Sequence, residues 1–267
     1  MPLDQRPRIA DWNSFTDIFE EIAVDQDTGA SHTCTKFIVI DKDSEAFIGS
    51  VPTPKLDVTL DKAAGSLRRI PDVEIYPAVT RQMSVYALQG DIDGVYIKRP
   101  KVASHPWYAG STTLADRFRV EAQTHELVRR NPHANIVHFE GCIVRNNLVV
   151  GLALRRYPRD LMTLVEDEYE DVCPPSALIH QWLRDIRAAV DQLHGLQLAH
   201  NDLNPRNIMQ DARGAMVLVD LGSCAPLGAR LTELGTPEWN EGFAEVSSVR
   251  NDEIGLVKIG EWLRGPR

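Results

Sequence analysis

The stretch His200-Asn201-Asp202-Leu203-Asn204-Pro205-Arg206-Asn207, with Val217-Leu218-Val219-Asp220-Leu221-Gly222 after it, decides how this sequence is read. Upstream, residues 177–194 set Ile179, Trp182, Leu183, Ile186, Val190 and Leu193 on one helical face, and Gly195 supplies a natural stop. Asp202 therefore lies in a loop behind a long amphipathic helix, where a carboxylate can be held at the edge of a cleft. Asn207 offers an amide oxygen five residues later. Asp220 ends an apolar strand, which aims its carboxylate out of a sheet, and Gly222 permits a sharp exit.

Working outward, residues 207–209 and 216–219 read as short strands around the turn 211–214. A last helix covers about 251–263. Before the decisive stretch, 83–88 and 95–98 read as a hairpin joined by Gly90-Asp91-Ile92-Asp93-Gly94. Residues 114–130 read as a helix that Asn131-Pro132 ends. Residues 136–139, 142–144 and 148–154 are strand-like, with a turn at Arg145-Asn146-Asn147. Residues 1–80 form a separate extension with no assignable role. There, 14–22 has helical spacing of Phe15, Ile18, Phe19 and Ile22, two strands (34–40 and 45–51) flank the turn 41–44, and 52–77 reads as irregular. Strands first and helices later suit a two-lobed α+β architecture.

Phosphoryl transfer needs a carboxylate to orient the attacking hydroxyl, hard oxygens to hold Mg²⁺, a lysine for the phosphates and an acid to hold that lysine. The segment from His200 to Asn207 resembles the catalytic loop of protein kinases, and Asp220-Leu221-Gly222 resembles their metal-binding triplet. Val95-Tyr96-Ile97-Lys98 resembles the strand with the ATP-binding lysine, and Gly235-Thr236-Pro237-Glu238-Trp239 the end of an activation segment. Asn251-Asp252 is similar to the helix start that braces the catalytic loop. The loop, with Asn131-Pro132-His133 and Gly141-Cys142, is also similar to a group of fungal protein-kinase-like proteins.

The resemblance covers roughly residues 83–263. It implies a β-rich N-lobe at 81–157 and a short helical C-lobe at 158–267. It further implies a serine/threonine protein kinase that uses ATP and Mg²⁺ on a protein substrate. Asp202 would be the catalytic residue, Asn207 and Asp220 the metal ligands, Lys98 the phosphate contact and Glu121 its ion-pair partner, with Glu126 as the alternative. Taken singly, each residue has an ordinary reading: a turn aspartate, a solvated lysine, a structural His200. Their joint order carries the family.

Four departures leave two other functions open. No glycine lies between Asp72 and Gln89, where a phosphate-covering loop belongs. Asn201 and Asn204 replace an arginine and a lysine, with Arg206 the nearest remaining cation, and the chain ends soon after its last helix. A pseudokinase, binding nucleotide or a partner without transfer, fits those features. A small-molecule kinase also tolerates a non-arginine residue before the aspartate, although 235–239 argues against it.

Composition bounds the rest. The 267 residues are 43% hydrophobic and 25% charged, enough for a sizeable core. A net charge of −9 disfavours nucleic acid or an anionic membrane as partner. Cys34, Cys142, Cys173 and Cys224 have no metal-type spacing and read as reduced thiols. No secretory signal or spanning run is visible, so the expected location is intracellular, in the cytoplasm.

Overall fold

The computed structural model describes residues 7–24, 31–87, 93–170, 172–233, 235–242 and 244–265. These fall into two compact units, one within Met1–Pro77 and Pro100–Asp116, the other within Ala78–Arg99 and Arg117–Arg267.

The first unit is an antiparallel sheet in the order β1 (Asp17–Val24), β2 (Ser31–Ile40), β3 (Ala46–Val51), β4 (Arg68–Arg69). The turn between β2 and β3 falls where the sequence places it, with Ser44 left-handed at φ 57°. The helical spacing at 14–22 proves misleading, because the segment is strand β1 and pairs with β2 from Asp17↔Ile38 to Val24↔Ser31. Burial decides this. Phe15 packs with Phe37 and Phe47 in the core, whereas Ile22 is 72% exposed, so no helical face is buried. The stretch 52–77 is also more regular than expected, with α1 (Leu60–Ser66), which Thr59 caps, and α2 (Asp72–Ile75). Glu74 of α2 accepts the Gly110 N–H at 3.0 Å and meets His105 Nε2 at 2.7 Å, which ties 100–116 into this unit.

The second unit holds the candidate site. Its larger sheet runs β5 (Val95–Lys98), β7 (Leu148–Arg155), β6 (Phe139–Arg145). β6 and β7 form a hairpin whose turn residues Asn146 and Asn147 have φ of 48° and 65°, the left-handed pair that a two-residue turn requires. Among the described residues, the expected hairpin of 83–88 with 95–98 is not seen. β5 pairs with β7, from Val95↔Arg155 to Lys98↔Leu152, while Val85 makes a single parallel bridge to Cys142. Leu88 and Gly90-Asp91-Ile92 lie outside the described residues. The backbone at 84–86 is held instead by Cys142 and by Glu126, whose carboxylate accepts the Ser84 N–H at 2.5 Å, and it passes close to Gly141. A Cβ on Gly141 would stand 2.9 Å from Tyr86 N.

Helix α3 (Thr113–Arg130) contributes Phe118, Ala122 and Val128 to the core. The chain continues through β8 (Arg159–Asp160), α4 (Leu161–Glu168), α5 (Ser176–Gly195), β9 (Leu198–Ala199), β10 (Ile208–Gln210), β11 (Met216–Leu218), β12 (Ala225–Pro226) and α6 (Val249–Arg264). The stripe of α5 is buried as its spacing requires, with Trp182, Ile186, Val190 and Leu193 at 1% exposure or less. Each such side chain contributes about 1.5–3 kcal/mol. Gly195 ends α5, but the left-handed turn falls two residues later, at Gln197 (φ 61°). Leu203, Ile208 and Leu221 join this core from the loop region. The result is the mixed α+β fold expected, a β-sheet part followed by a helical part.

Candidate active site

The loop after α5 is held from beneath by a buried carboxylate. Asp252, on the first turn of α6 and fully buried, accepts the backbone N–H of His200 at 2.9 Å and of Asn201 at 2.8 Å. His194 Nε2 meets the same carboxylate at 2.9 Å. His200 Nε2 pairs with the Val219 carbonyl at 2.9 Å, so its role is structural. Asn201 takes φ 64°, a conformation asparagine tolerates, and spends its amide on the Ala199 and Ser223 carbonyls and Ser247 Oγ. Its Oδ1 accepts Asn251 Nδ2 at 3.0 Å. The residue that stands where an arginine was expected thus knots the loop to α6 and to residues 223 and 247.

These bonds present Asp202 on a fixed backbone. Its Oδ1 accepts Thr236 N–H at 2.7 Å and Asn204 Nδ2 at 3.1 Å; its Oδ2 accepts Asn207 Nδ2 at 3.0 Å. A carboxylate has about four acceptor sites, so one on Oδ2 is left for an incoming hydroxyl. Asn204 Oδ1 accepts the Arg206 N–H at 3.0 Å and caps the turn Pro205–Asn207. The Asn204 amide is therefore consumed within the loop.

Lys98 Nζ is ion-paired with Glu121 Oε1 and lies 2.7 Å from Asp220 Oδ1. Burial works against the charge on Lys98, but the Glu121 and Asp220 carboxylates outweigh it and hold its pKa above the ordinary lysine value. Burial likewise works against Glu121, and Lys98 overcomes it, lowering that carboxyl below its usual range. Fully buried His125 stands behind, its Nε2 3.8 Å from Glu121 Oε1 and its ring 5.2 Å from that of Phe139. Glu126, the alternative partner, is occupied with Ser84 and Arg129.

Asp220 itself adopts the left-handed conformation, φ 57°, and its Oδ1 accepts Gly222 N–H at 3.1 Å. Gly222 serves a different purpose from the one its place suggests: it supplies room rather than the turn. A Cβ there would lie 3.0 Å from Asp220 Oδ1 and 3.6 Å from Lys98 Nζ. The Asn207 carbonyl accepts the Val219 N–H at 2.9 Å, which sets Asn207 beside Asp220.

Lys98, Asn207 and Asp220 line one cavity of about 260 Å³, with Tyr96, Val137, Leu154, Met209 and Val219 as apolar walls. The donor set suits Mg²⁺. The side-chain nitrogen of Asn207 is spent on Asp202, which leaves its side-chain oxygen, Oδ1, for a cation beside the Asp220 carboxylate. Two protein oxygens, completed by phosphates and water, are what that ion takes. Among the described residues no cluster of three His, Cys, Asp or Glu side chains could hold a metal. No helix of the described residues is long and apolar enough to cross a membrane.

All five residues singled out in the sequence meet in this region, in two linked groups: Lys98–Glu121–Asp220 and Asp202–Asn207. Sequence reasoning missed the Thr236 N–H and the second role of Asn204 as a cap. Arg155 and Arg156, which in the sequence read more simply as a solvated basic face than as part of a site, also line the cavity. The Asn-Pro pair was the available signal for the cap.

Comparison with known proteins agrees with this geometry. The family model described as "Protein kinase domain" matches residues 101–241, just over half of the chain. Lys98 lies just before that stretch; Glu121, Asp202, Asn207 and Asp220 lie within it. The chain is 35% identical to human myotonin-protein kinase over 85 residues, which is 30% of this chain and 13% of that protein. It is 34% identical to mouse serine/threonine-protein kinase MRCK alpha over 107 residues, 40% of this chain and 6% of the relative. It is 29% identical to the Caenorhabditis elegans serine/threonine-protein kinase pak-1 over 133 residues, 47% of this chain and 22% of the relative. Each match thus spans less than a quarter of the relative's length. With the fold, the order of the site residues and the family match in agreement, the chain belongs to the protein kinase domain family.

Proposed function

We propose that this chain is an ATP- and Mg²⁺-dependent protein kinase that transfers the γ-phosphate to a serine or threonine hydroxyl of a protein. The observation that carries the reading is the Asp202 carboxylate, fixed through Oδ1 by Thr236 and Asn204 and through Oδ2 by Asn207, with one acceptor site open. That site accepts the hydroxyl proton and orients the attacking oxygen. Lys98, kept charged by its two carboxylates, contacts the phosphates, and Glu121 fixes its position. Asn207 and Asp220 would hold Mg²⁺, which neutralises phosphate charge when bound. Residues 81–157 and 158–267 serve as the two lobes. The relatives named as serine/threonine kinases support the acceptor class.

A second reading, a pseudokinase that binds nucleotide without transfer, has its own support. The Asn204 amide donates to Asp202, and among the described residues 83–87 forms a single bridge, Val85 to Cys142, where a phosphate-covering strand pair belongs. Thermal unfolding with MgATP, with Asp220→Asn as control, separates these possibilities. A ligand that binds only the folded state raises the apparent stability. An upward shift with phosphate transfer that Asp202→Ala abolishes supports the kinase. A shift without transfer supports the pseudokinase, and no shift at saturating MgATP overturns both.

A further inference from the structure

Three arginines, Arg155, Arg156 and Arg206, are among the residues that line the cavity of Asn207 and Asp220. All three residues are exposed. Their charges are not balanced in the way that Lys98 is balanced. Lys98 faces two carboxylates, whereas none of the three arginines has a carboxylate partner among the described residues. Arg156 is tied down, but to a backbone carbonyl: its Nε and Nη2 donate to Val95 O at 3.3 and 3.0 Å. That contact positions the group and leaves its charge whole. Asp220, the one acidic side chain on the lining among the described residues, is already engaged by Lys98. A chain with net charge −9 has thus collected three uncompensated cations around one cleft.

The nucleotide does not account for them. On the reading above, its phosphates meet Lys98 and the Asn207–Asp220 pair, and the base and ribose are neutral. Arg206 stands on the capped turn that carries Asn207, four residues after Asp202, with its backbone N–H fixed by Asn204. A cation there flanks the position where an acceptor hydroxyl meets Asp202. Guanidinium is the side chain suited to paired hydrogen bonds with a carboxylate or phosphate.

We propose that Arg206, assisted by Arg155, recognises an anionic group beside the acceptor hydroxyl, so that the acceptor is an acidic peptide segment. Its charge comes from aspartate and glutamate or from a phosphate already in place. The inference rests on the proposed kinase function, because it takes Asp202 as the acceptor site. Nucleic acid, the other polyanion, is disfavoured because the overall negative charge opposes its approach.

The test is equilibrium binding to the full chain at low ionic strength, with a non-hydrolysable MgATP analogue present. Short fluorescent peptides carry one serine flanked by acidic residues, by phosphoserine or by lysine and arginine. Both anionic peptides are expected to bind at least about tenfold tighter than the basic one, with a preference that salt weakens. The acidic and phosphoserine arms identify the source of the charge. Arg206→Glu should reverse the preference, and Arg206→Gln should reduce it; the position is exposed, so thermal unfolding of both variants should match the wild type. Equal affinities, a preference unchanged in Arg206→Glu and Arg155→Glu, or tighter binding of a single-stranded oligonucleotide would each overturn the proposal. Transfer to the same peptides is measured in parallel. Anionic selectivity without transfer would sink the kinase reading and reduce this one to the binding of an acidic peptide by Arg206, with no acceptor role.

Discussion

The backbone N–H of Thr236 donates to Oδ1 of Asp202 across 2.7 Å, so the end of the segment after Asp220 orients the carboxylate that the loop presents. Gly235 makes that approach possible, since a Cβ there would lie 2.5 Å from the Asn201 carbonyl and 3.0 Å from Asn240 Nδ2. Gly235→Ala should displace Thr236 and lower transfer by about 10²-fold, the scale of a misplaced catalytic group. Amide hydrogen exchange at Thr236 should rise in the same variant. Unchanged exchange at that amide would show that the segment accommodates the methyl group.

Asn201 combines a left-handed backbone with a buried hydrogen-bond network. Asn201→Gly keeps the backbone preference and removes the side-chain bonds, so it should cost about 2–4 kcal/mol in urea unfolding. Asn201→Arg should cost more, because a long charged side chain replaces a residue that is 1% exposed. A neutral Asn201→Arg would refute the structural role given to this residue.

The Lys98–Glu121 pair links stability to pH. The pKa of Glu121 is held below the ordinary glutamate value of 4.5, so its pairing stabilises the fold above that pH and is lost as pH falls through the folded value. The pKa of Lys98 is raised, so its share is complete at neutral pH and disappears only as pH rises through that raised value. Glu121→Gln should cost about 3 kcal/mol at pH 7, the low end for a broken buried pair because Asp220 still faces Lys98. The gap between wild type and variant should stay constant from neutral pH to about 5 and narrow below 4.5. A gap that widens in acid would contradict the pairing.

Cysteine chemistry offers a simple check on burial. Cys173 is exposed, whereas Cys34, Cys142 and Cys224 are buried. Burial, with Glu126 nearby, pushes the Cys142 thiol up to about 12, and burial raises Cys224 as well. Brief alkylation of the folded chain at neutral pH should add one label, at Cys173, by intact mass and peptide mapping. Labelling of Cys142 ahead of Cys173 would contradict the packing described.

Asp252 should be the costliest single polar substitution among the groups that hold the loop. Its carboxylate serves two consecutive backbone amides and His194 with no exposure to water. Asp252→Ala should lose about 3–5 kcal/mol or prevent folding, and Asp252→Asn, which keeps one acceptor, should lose less. Denaturant midpoints of the two variants test the order.

The sequence alone determined the family and the chemistry-bearing residues. Asp202, Asn207 and Asp220 sit at fixed spacing beside elements whose periodicity is strong, and α5, the Asn146-Asn147 hairpin and α6 are legible because local spacing and turn chemistry dictate them. Tertiary structure alone decided the rest. Residues 17–24 become strand β1 because β2 offers an edge to pair with, although their spacing suits a helix. Val95–Lys98 joins β7 rather than a neighbour in sequence, a choice set by long-range pairing. Choosing Glu121 over Glu126 needed α3 packed against β5, since one helix carries both. The hydrogen bonds of the left-handed Asn201 and the placing of Arg156 depend on partners far away in sequence: Asn251 is fifty residues from Asn201, and Val95 is 61 from Arg156. Local periodicity carries no record of such partners, because burial and hydrogen bonding between distant segments are settled only when the chain folds.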